Sequence, residues 1–268
     1  MSEISPVASA PPPPVYLSVE AHSLDVEVYV NDIPVLRHSE GSHYRATEAA
    51  NAWLRPMGNR VRAFGRWPDG VPYNPGQAKL TVDLFVCAPD AEFPTPLRSL
   101  ANLRWPTPPV PERFPFTLEA EAKQAGFPAL KLWTQTERLA EITVVDREQI
   151  LRETAALRDA VLQKDVEQLM ARHALKIEDL ATAQAKDPSR LEASLRKQFE
   201  WLTALPGLTE LKTANAEVTL RLVGEGHAVQ VCTPTGQSPL AFVDSDEDTV
   251  VGLDPLFGKV NGAWRLLR

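Results

Sequence analysis

The chain has 268 residues, 44% of them hydrophobic and 24% charged, which is typical of folded protein and long enough for two domains. Its formal net charge of −7 argues against a nucleic-acid partner, because binding to phosphates requires clustered Lys and Arg. No segment approaches the roughly 20 consecutive apolar residues of a membrane-spanning helix, and nothing at the start indicates a signal peptide, so we expect a cytoplasmic protein without a membrane partner.

The first 14 residues end in a run of small residues and prolines. Proline has no backbone N–H and a fixed φ, so this run suits neither a helix nor a strand ladder. The composition predicts a disordered, proline-rich tail over residues 1–14. The functional alternative is a docking peptide for an aromatic-lined groove of another protein.

Alternating apolar and polar residues follow the tail and predict short strands, because successive side chains of a strand point to opposite faces. The apolar residues of one predicted face are Val15, Leu17, Val19, Leu24, Val26, Val28 and Val30. Further apolar runs lie at 33–36, 60–64 and 78–86. Residues 87–115 hold 8 of the 24 prolines, which suits edge strands and connections. The pattern predicts an antiparallel β-sandwich over residues 15–140, which through 30–35 and 51–59 is similar to jelly-roll-type sandwiches.

Helical spacing replaces this alternation near residue 146. Asp146–Gln149 fits a capping box, in which an acceptor side chain is followed three residues later by Gln, and the next predicted helices start at Val166 and at about residue 188. Predicted strands then lie at 218–222, 228–231, 239–243, 249–253 and 263–267. The pattern predicts an α+β domain over residues 144–268, with about three helices packed on a curved antiparallel sheet.

The order of helices before strands, the segment 164–169 and the closing segment 261–267 resemble the nuclear-transport-factor-two-like (cystatin-like) superfamily. The resemblance covers residues 144–268 and implies a cone-shaped domain whose pocket serves ligand binding, catalysis or dimerisation. It implies these ligand-pocket candidates: Asp165, His173, Trp201, His227 and Trp264. The alternative is a structural role for the acid and the histidines, because a catalytic base needs burial and a positioned partner. We therefore predict no catalytic residue.

Three of the six tryptophans lie in the proline-rich half, namely Trp53, Trp67 and Trp105. Large rigid aromatic side chains bury much area at low entropic cost, so these residues are candidates for a partner surface. The alternative is that they fill the core of the sandwich.

Three of the five histidines, His22, His38 and His43, lie close together in the sequence, with Glu40 and Glu48 nearby. No His-x-His or Cys-x-x-Cys spacing accompanies them, so ordinary turn chemistry is the preferred interpretation and we expect no metal or cofactor. The acidic run 244–248 lacks the glycine and the downstream Glu of a calcium loop and is interpreted as a solvated loop. Cys87 and Cys232 fall in apolar strands, which indicates buried free thiols.

These patterns favour a non-catalytic binding or scaffolding protein that contacts a protein partner or a second copy of itself. Two alternatives stay open. One is a small-ligand-binding or enzymatic pocket in the C-terminal half, and the other is carbohydrate binding by the β-sandwich.

Overall fold

The computed structural model describes residues 11–88, 94–106, 113–123, 126–210, 217–244 and 249–268. This part of the chain has an α+β fold of four antiparallel sheets and five α-helices, which confirms the predicted fold class. Of the predicted tail, residues 1–10 lie outside the described residues. The carbonyls of Pro13 and Pro14 accept hydrogen bonds from the Asn51 side chain and the Cys87 backbone, so this end of the tail is attached to the sandwich.

Two four-stranded sheets form the N-terminal sandwich. Its strands are β1 (Val15–His22), β2 (Asp25–Val30), β3 (Ile33–His38), β4 (Tyr44–Ala49), β5 (Arg60–Arg66), β6 (Lys79–Cys87), β7 (Pro96–Trp105) and β8 (Phe116–Glu121). One sheet has the order β4-β1-β6-β7 and the other the order β3-β2-β5-β8. The alternation predicted for Val15, Leu17 and Val19 is confirmed, because all three are fully buried between the sheets.

The C-terminal half contains the helices. They are α1 (Lys131–Thr134), α2 (Val144–Leu162), α3 (Val166–Arg172), α4 (Ala174–Gln184) and α5 (Pro188–Ala204). The strands that follow are β9 (Leu208–Glu210), β10 (Thr219–Val223), β11 (Ala228–Cys232), β12 (Leu240–Asp244), β13 (Thr249–Leu253), β14 (Leu256–Val260) and β15 (Ala263–Leu266). They form two sheets, of order β10-β11-β14-β15 and β13-β12-β9. Leu157, Phe199 and Phe242 belong to the core between helices and sheets.

The predicted N-cap of the first long helix, Asp146, is wrong by three residues. Thr143 is the N-cap. Its hydroxyl oxygen accepts a hydrogen bond from the Asp146 backbone N–H, and the Asp146 carboxylate accepts one from the Thr143 backbone N–H. Asp146 is thus the last residue of the capping box, at helical position N3, instead of its first. Although burial opposes ionisation, hydrogen bonds from Thr143 and Lys259 lower the pKa of Asp146. The carboxylate therefore ties the helix start to the final hairpin.

The second predicted helix is divided at His173, whose backbone is the C-cap of α3 and the N-cap of α4. The imidazole Nδ1 lies 2.7 Å from the Leu169 carbonyl oxygen, one turn earlier. The ring is buried against Phe199, with 4.8 Å between the ring centroids. Helical periodicity continues across this break, which is why the sequence pattern alone predicts one helix.

An apolar seam joins the sandwich to the C-terminal half. Buried residues from both halves form it: Ile33, Ala52, Leu130, Leu132, Ala183, Val223, Ala228, Leu256 and Leu267. The Trp133 indole N–H donates to the Leu54 carbonyl at 3.1 Å. The Glu225 carboxylate forms ion pairs with Arg55 and Arg60, each at 3.0 Å. Apolar burial stabilises such a contact by about 25 cal/mol per Å², and the polar pairs define its register.

Cys87 and Cys232 are buried free thiols, as predicted. Burial raises the pKa of both thiols, which disfavours the thiolate. Among the described helices, none combines the length and the apolar character needed to cross a bilayer. Asp244, the first residue of the acidic run, is buried at the end of β12, whereas 245–248 lie outside the described residues.

Candidate functional site

A cavity of about 430 Å³ lies between the sandwich and the C-terminal half, and we refer to it as the interdomain cavity. Its lining includes Ile33, Ala52, Trp53, Glu48, His173, Lys176, Leu180, Gln184, Gln230, Asp254, Leu256, Leu266 and Arg268. Small-molecule sites are usually clefts of roughly 300–1,000 Å³ between domains, with apolar walls and a few polar groups. The interdomain cavity has this size, position and composition.

One face of α4 supplies much of the C-terminal wall. His173, Lys176 and Leu180 follow helical spacing and therefore point to the same side. From the sandwich, a single helical turn at Asn51–Trp53 follows β4 and brings Trp53 to the opposite wall. The seam between the two halves thus holds the two walls face to face.

Two cations, Lys176 and Arg268, line the interdomain cavity together with the carboxylates of Glu48 and Asp254. Among the described residues, the ammonium group of Lys176 forms no hydrogen bond and no ion pair. Burial, and then the positive charge of Arg268, lower the pKa of Lys176 to about 8. The ammonium is therefore mostly protonated at pH 7, although the surrounding protein does little to stabilise the charge.

Arg268 is enclosed more completely and is held by the protein. Its guanidinium donates to the Ala52 carbonyl at 2.7 Å, lies 3.6 Å from Asp179 and stacks over the Trp53 ring at 5.0 Å. Burial lowers the pKa of Arg268 to about 10, so it stays charged at neutral pH. Its Nε atom is buried without a hydrogen-bond partner among the described residues.

Asp179 forms an ion pair with Arg268 and lies outside the lining of the interdomain cavity. The carboxylate is 1% exposed and accepts the backbone N–H groups of Lys131 at 2.7 Å and Leu132 at 3.1 Å. These contacts join α4 to α1 and to the end of the chain. Asp179 is already engaged by Arg268 and two amides, and among the described residues neither carboxylate that lines the cavity, Glu48 or Asp254, forms an ion pair with Lys176.

No family model, curated protein or solved structure matches this chain. The resemblance of residues 144–268 to the nuclear-transport-factor-two-like superfamily therefore stays a prediction.

A second cavity, of about 550 Å³, lies between the helices and β14–β15. Its lining carries two ion pairs, Glu153 with Arg172 and Lys131 with Glu178. Those charges compensate one another, unlike the charge on Lys176.

The five ligand-pocket candidates are not brought together. His173 lines the interdomain cavity, whereas Trp264 lines the second cavity and donates its indole N–H to Asp146 at 3.3 Å. The other three lie elsewhere: Asp165 is the exposed N-cap of α3, Trp201 is 52% exposed on α5, and His227 contacts Thr136 and the edge of Trp133. Burial lowers the pKa of His173 to about 4, so its ring is neutral.

The three tryptophans that were candidates for a partner surface lie in three different parts of the structure. Trp105 is buried in the sandwich and stacks on Phe116 at 4.5 Å between ring centroids. Trp53 lies in the interdomain cavity beneath Arg268. Trp67 is half-buried and donates its indole N–H to the Val71 carbonyl at 2.9 Å.

Lys176 and Arg268 are the functional candidates that sequence reasoning missed. A signal for Lys176 was present, because a lysine at helical spacing from His173 and Leu180 places a charge on the apolar face of α4. No local pattern distinguishes Arg268, since its partners Ala52 and Asp179 are distant in the sequence.

The histidines considered for a metal site have a different arrangement from the one that their spacing suggested. His22 and His43 lie side by side with Glu20, on the outer face of the sandwich. His38 stacks on Tyr44 instead, at 4.4 Å between ring centroids, and Glu48 lies at the interdomain cavity. The antiparallel pairing of β1 with β4 produces this cluster.

Proposed function

We propose that this protein is a non-catalytic binding protein whose interdomain cavity takes a small organic anion with an apolar body. The observation that carries the proposal is the ammonium of Lys176, a partly buried cation at the cavity with no hydrogen bond or ion pair among the described residues. Taking a charge out of water is unfavourable unless a counter-charge or hydrogen bonds compensate it. An anionic ligand group beside Lys176 provides that compensation.

The rest of the lining supports an amphipathic ligand. Ile33, Trp53 and Leu256 offer apolar surface for the body of the ligand. Gln230 Oε1 and Arg268 Nε are enclosed atoms without a hydrogen-bond partner among the described residues, and both side chains line the cavity. Such atoms are usually satisfied by water or by a ligand.

Binding is favoured over catalysis by the state of His173. Its Nδ1 is committed to the Leu169 carbonyl, and a pKa near 4 is far from the neutral range in which a general base works best. The ring therefore acts as a neutral wall of the cavity.

Fluorescence titration with anilinonaphthalene sulfonate, an anion with an apolar body, tests the proposal. We expect saturable binding of one probe per chain, weakened at least about 10-fold by Lys176→Met, because a charge-assisted hydrogen bond contributes about 1.5–3 kcal/mol. Lys186→Met, at an exposed lysine just beyond α4, is the matched control and should leave binding unchanged.

A neutral analogue, phenylnaphthylamine, separates loss of charge from collapse of the cavity. It should bind wild type and Lys176→Met with similar affinity. Equal binding of the anionic probe to wild type and Lys176→Met contradicts the proposal, as does the absence of saturable binding.

A second candidate function, contact with a protein partner, has one specific observation in its favour. Trp67, Tyr73 and Phe114 form an aromatic cluster at one end of the sandwich, and Tyr73 is 63% exposed beside Val71. Exposed aromatic side chains are enriched at binding hot spots. Carbohydrate binding by the sandwich stays a prediction without a comparable observation.

Affinity purification of full-length protein from its host tests this second candidate. We expect a stoichiometric partner to be retained by wild type and lost at least about 10-fold with Tyr73→Ser. Trp201→Ser removes another exposed aromatic residue, from α5, and serves as the control. A partner retained equally by Tyr73→Ser rules out this surface.

A further inference from the structure

The outer face of β1 and the start of β4 bring together a set of metal-ligating side chains. In β1 the even-numbered residues point away from the core, so Glu20 and His22 share one face. β4 runs antiparallel beside β1, with Ala21 opposite Tyr44, and the next position places His43 beside His22. Opposed residues of an antiparallel pair lie on the same face of the sheet.

The distances in this cluster match those of a metal site. Glu20 Oε1 lies 3.1 Å from His22 Nε2 and 3.8 Å from His43 Nε2, and the three ligand atoms all lie within 4.8 Å of one another. Tetrahedral zinc ligands lie about 3.3 Å apart, given metal–ligand bonds of about 2.0–2.1 Å. Because the two rings stack, their in-plane nitrogen lone pairs are nearly parallel, and the imidazoles must rotate out of the stack to bring all three atoms to one ion.

The two imidazoles are already arranged side by side. Their rings stack with 4.2 Å between centroids and an interplanar angle of 17°. The Glu20 carboxylate lies within reach of a nitrogen from each ring. Two imidazoles and one carboxylate are a donor set that zinc accepts, with a further position open to water.

We propose that Glu20, His22 and His43 form a surface binding site for a divalent zinc-class cation, which joins the edge strand β4 to β1. Two cations flank the cluster, because Arg45 lies opposite Glu20 on β4 and Lys79 lies opposite His22 on β6. Their charges oppose a bound cation and make this site weaker than an enclosed zinc site.

Metal titration of the full chain, purified without a histidine tag and stripped with chelator, tests the proposal. Calorimetry with Zn²⁺ should give one ion per chain, and Co²⁺ should produce the visible absorption of a low-coordinate nitrogen and oxygen site. His22→Ala, His43→Ala and Glu20→Gln should each weaken binding at least about 10-fold, because each removes a ligand. His38→Ala removes a neighbouring histidine outside the cluster and should change nothing.

Circular dichroism confirms that each variant is folded. Glu20→Gln preserves the size of the side chain, so its zinc affinity decides the test if a histidine variant folds poorly. The proposal is overturned if wild type binds no Zn²⁺ saturably, or if His22→Ala and His43→Ala bind as tightly as wild type. It is overturned equally if His38→Ala loses binding to the same extent as they do.

Discussion

Lys176→Met is expected to increase the free energy of unfolding at pH 7 by about 1–3 kcal/mol while it weakens binding of an organic anion. The pKa of Lys176 is lowered to about 8, chiefly by burial, which means that the protonated form is less stable in the folded protein than in the unfolded chain. Partial exposure of the side chain keeps the effect below the full value of the shift. Methionine fills similar space without the charge.

The pH dependence of this effect has a definite sign. Between the folded pKa of about 8 and the unfolded value of 10.5, the unfolded chain binds more protons than the folded protein. The wild type therefore gains stability from this group as pH rises through that window, and the advantage of Lys176→Met shrinks. Below pH 8 the advantage is fully present.

Urea unfolding of wild type, Lys176→Met and Lys186→Met at pH 7 and pH 10 measures this difference. Lys186 is exposed, so its variant should match wild type at both pH values. A Lys176→Met protein that is less stable than wild type at pH 7 would show that the ammonium has a stabilising partner in solution. That result would also remove the main support for an anion site.

Asp179→Ala is expected to lower the free energy of unfolding by about 3–5 kcal/mol, the largest loss that we expect from a single substitution in the C-terminal half. The change removes the acceptor of the Lys131 and Leu132 amides and leaves the Arg268 charge buried without its carboxylate. Orphaned buried donors and charges retain their desolvation penalty.

Asp165→Ala is the matched control, since that carboxylate is an exposed N-cap that accepts one hydrogen bond, from the Gln168 backbone. Loss of such a cap costs about 1 kcal/mol. Denaturant unfolding of both variants should separate the two effects clearly. Equal losses for Asp165→Ala and Asp179→Ala would contradict the role assigned to the buried network.

The fold class could be predicted because its signals are local. Alternation in Val26, Val28 and Val30 indicates a strand with one buried face, and the helix predicted from about residue 188 begins at Pro188, as the structure confirms. The capping box was misplaced because Thr143 and Asp146 both have side chains that can cap a helix, and only the backbone path shows which residue precedes the first turn.

The candidate sites could be predicted only in part. His173 was named from the sequence, but Lys176 obtains its properties from enclosure by the opposite domain, and that enclosure depends on the seam. For Trp105 the sequence left both a partner surface and the sandwich core open, and the structure places its side chain in the core, on strand β7 beside β6. Burial of a given side chain is a property of contacts between distant segments, and no local pattern encodes it.

The sequence by itself determined the periods of the strands and helices, the order of N-terminal strands before C-terminal helices and the acidic balance of charge. These features depend on residues that are neighbours in the chain. Only the tertiary structure decided that Arg268 meets Asp179 and Ala52, that Lys176 faces a cavity and that Glu20, His22 and His43 converge. Strand register and domain packing bring these groups together, because they are set by the total burial of apolar surface over the whole chain.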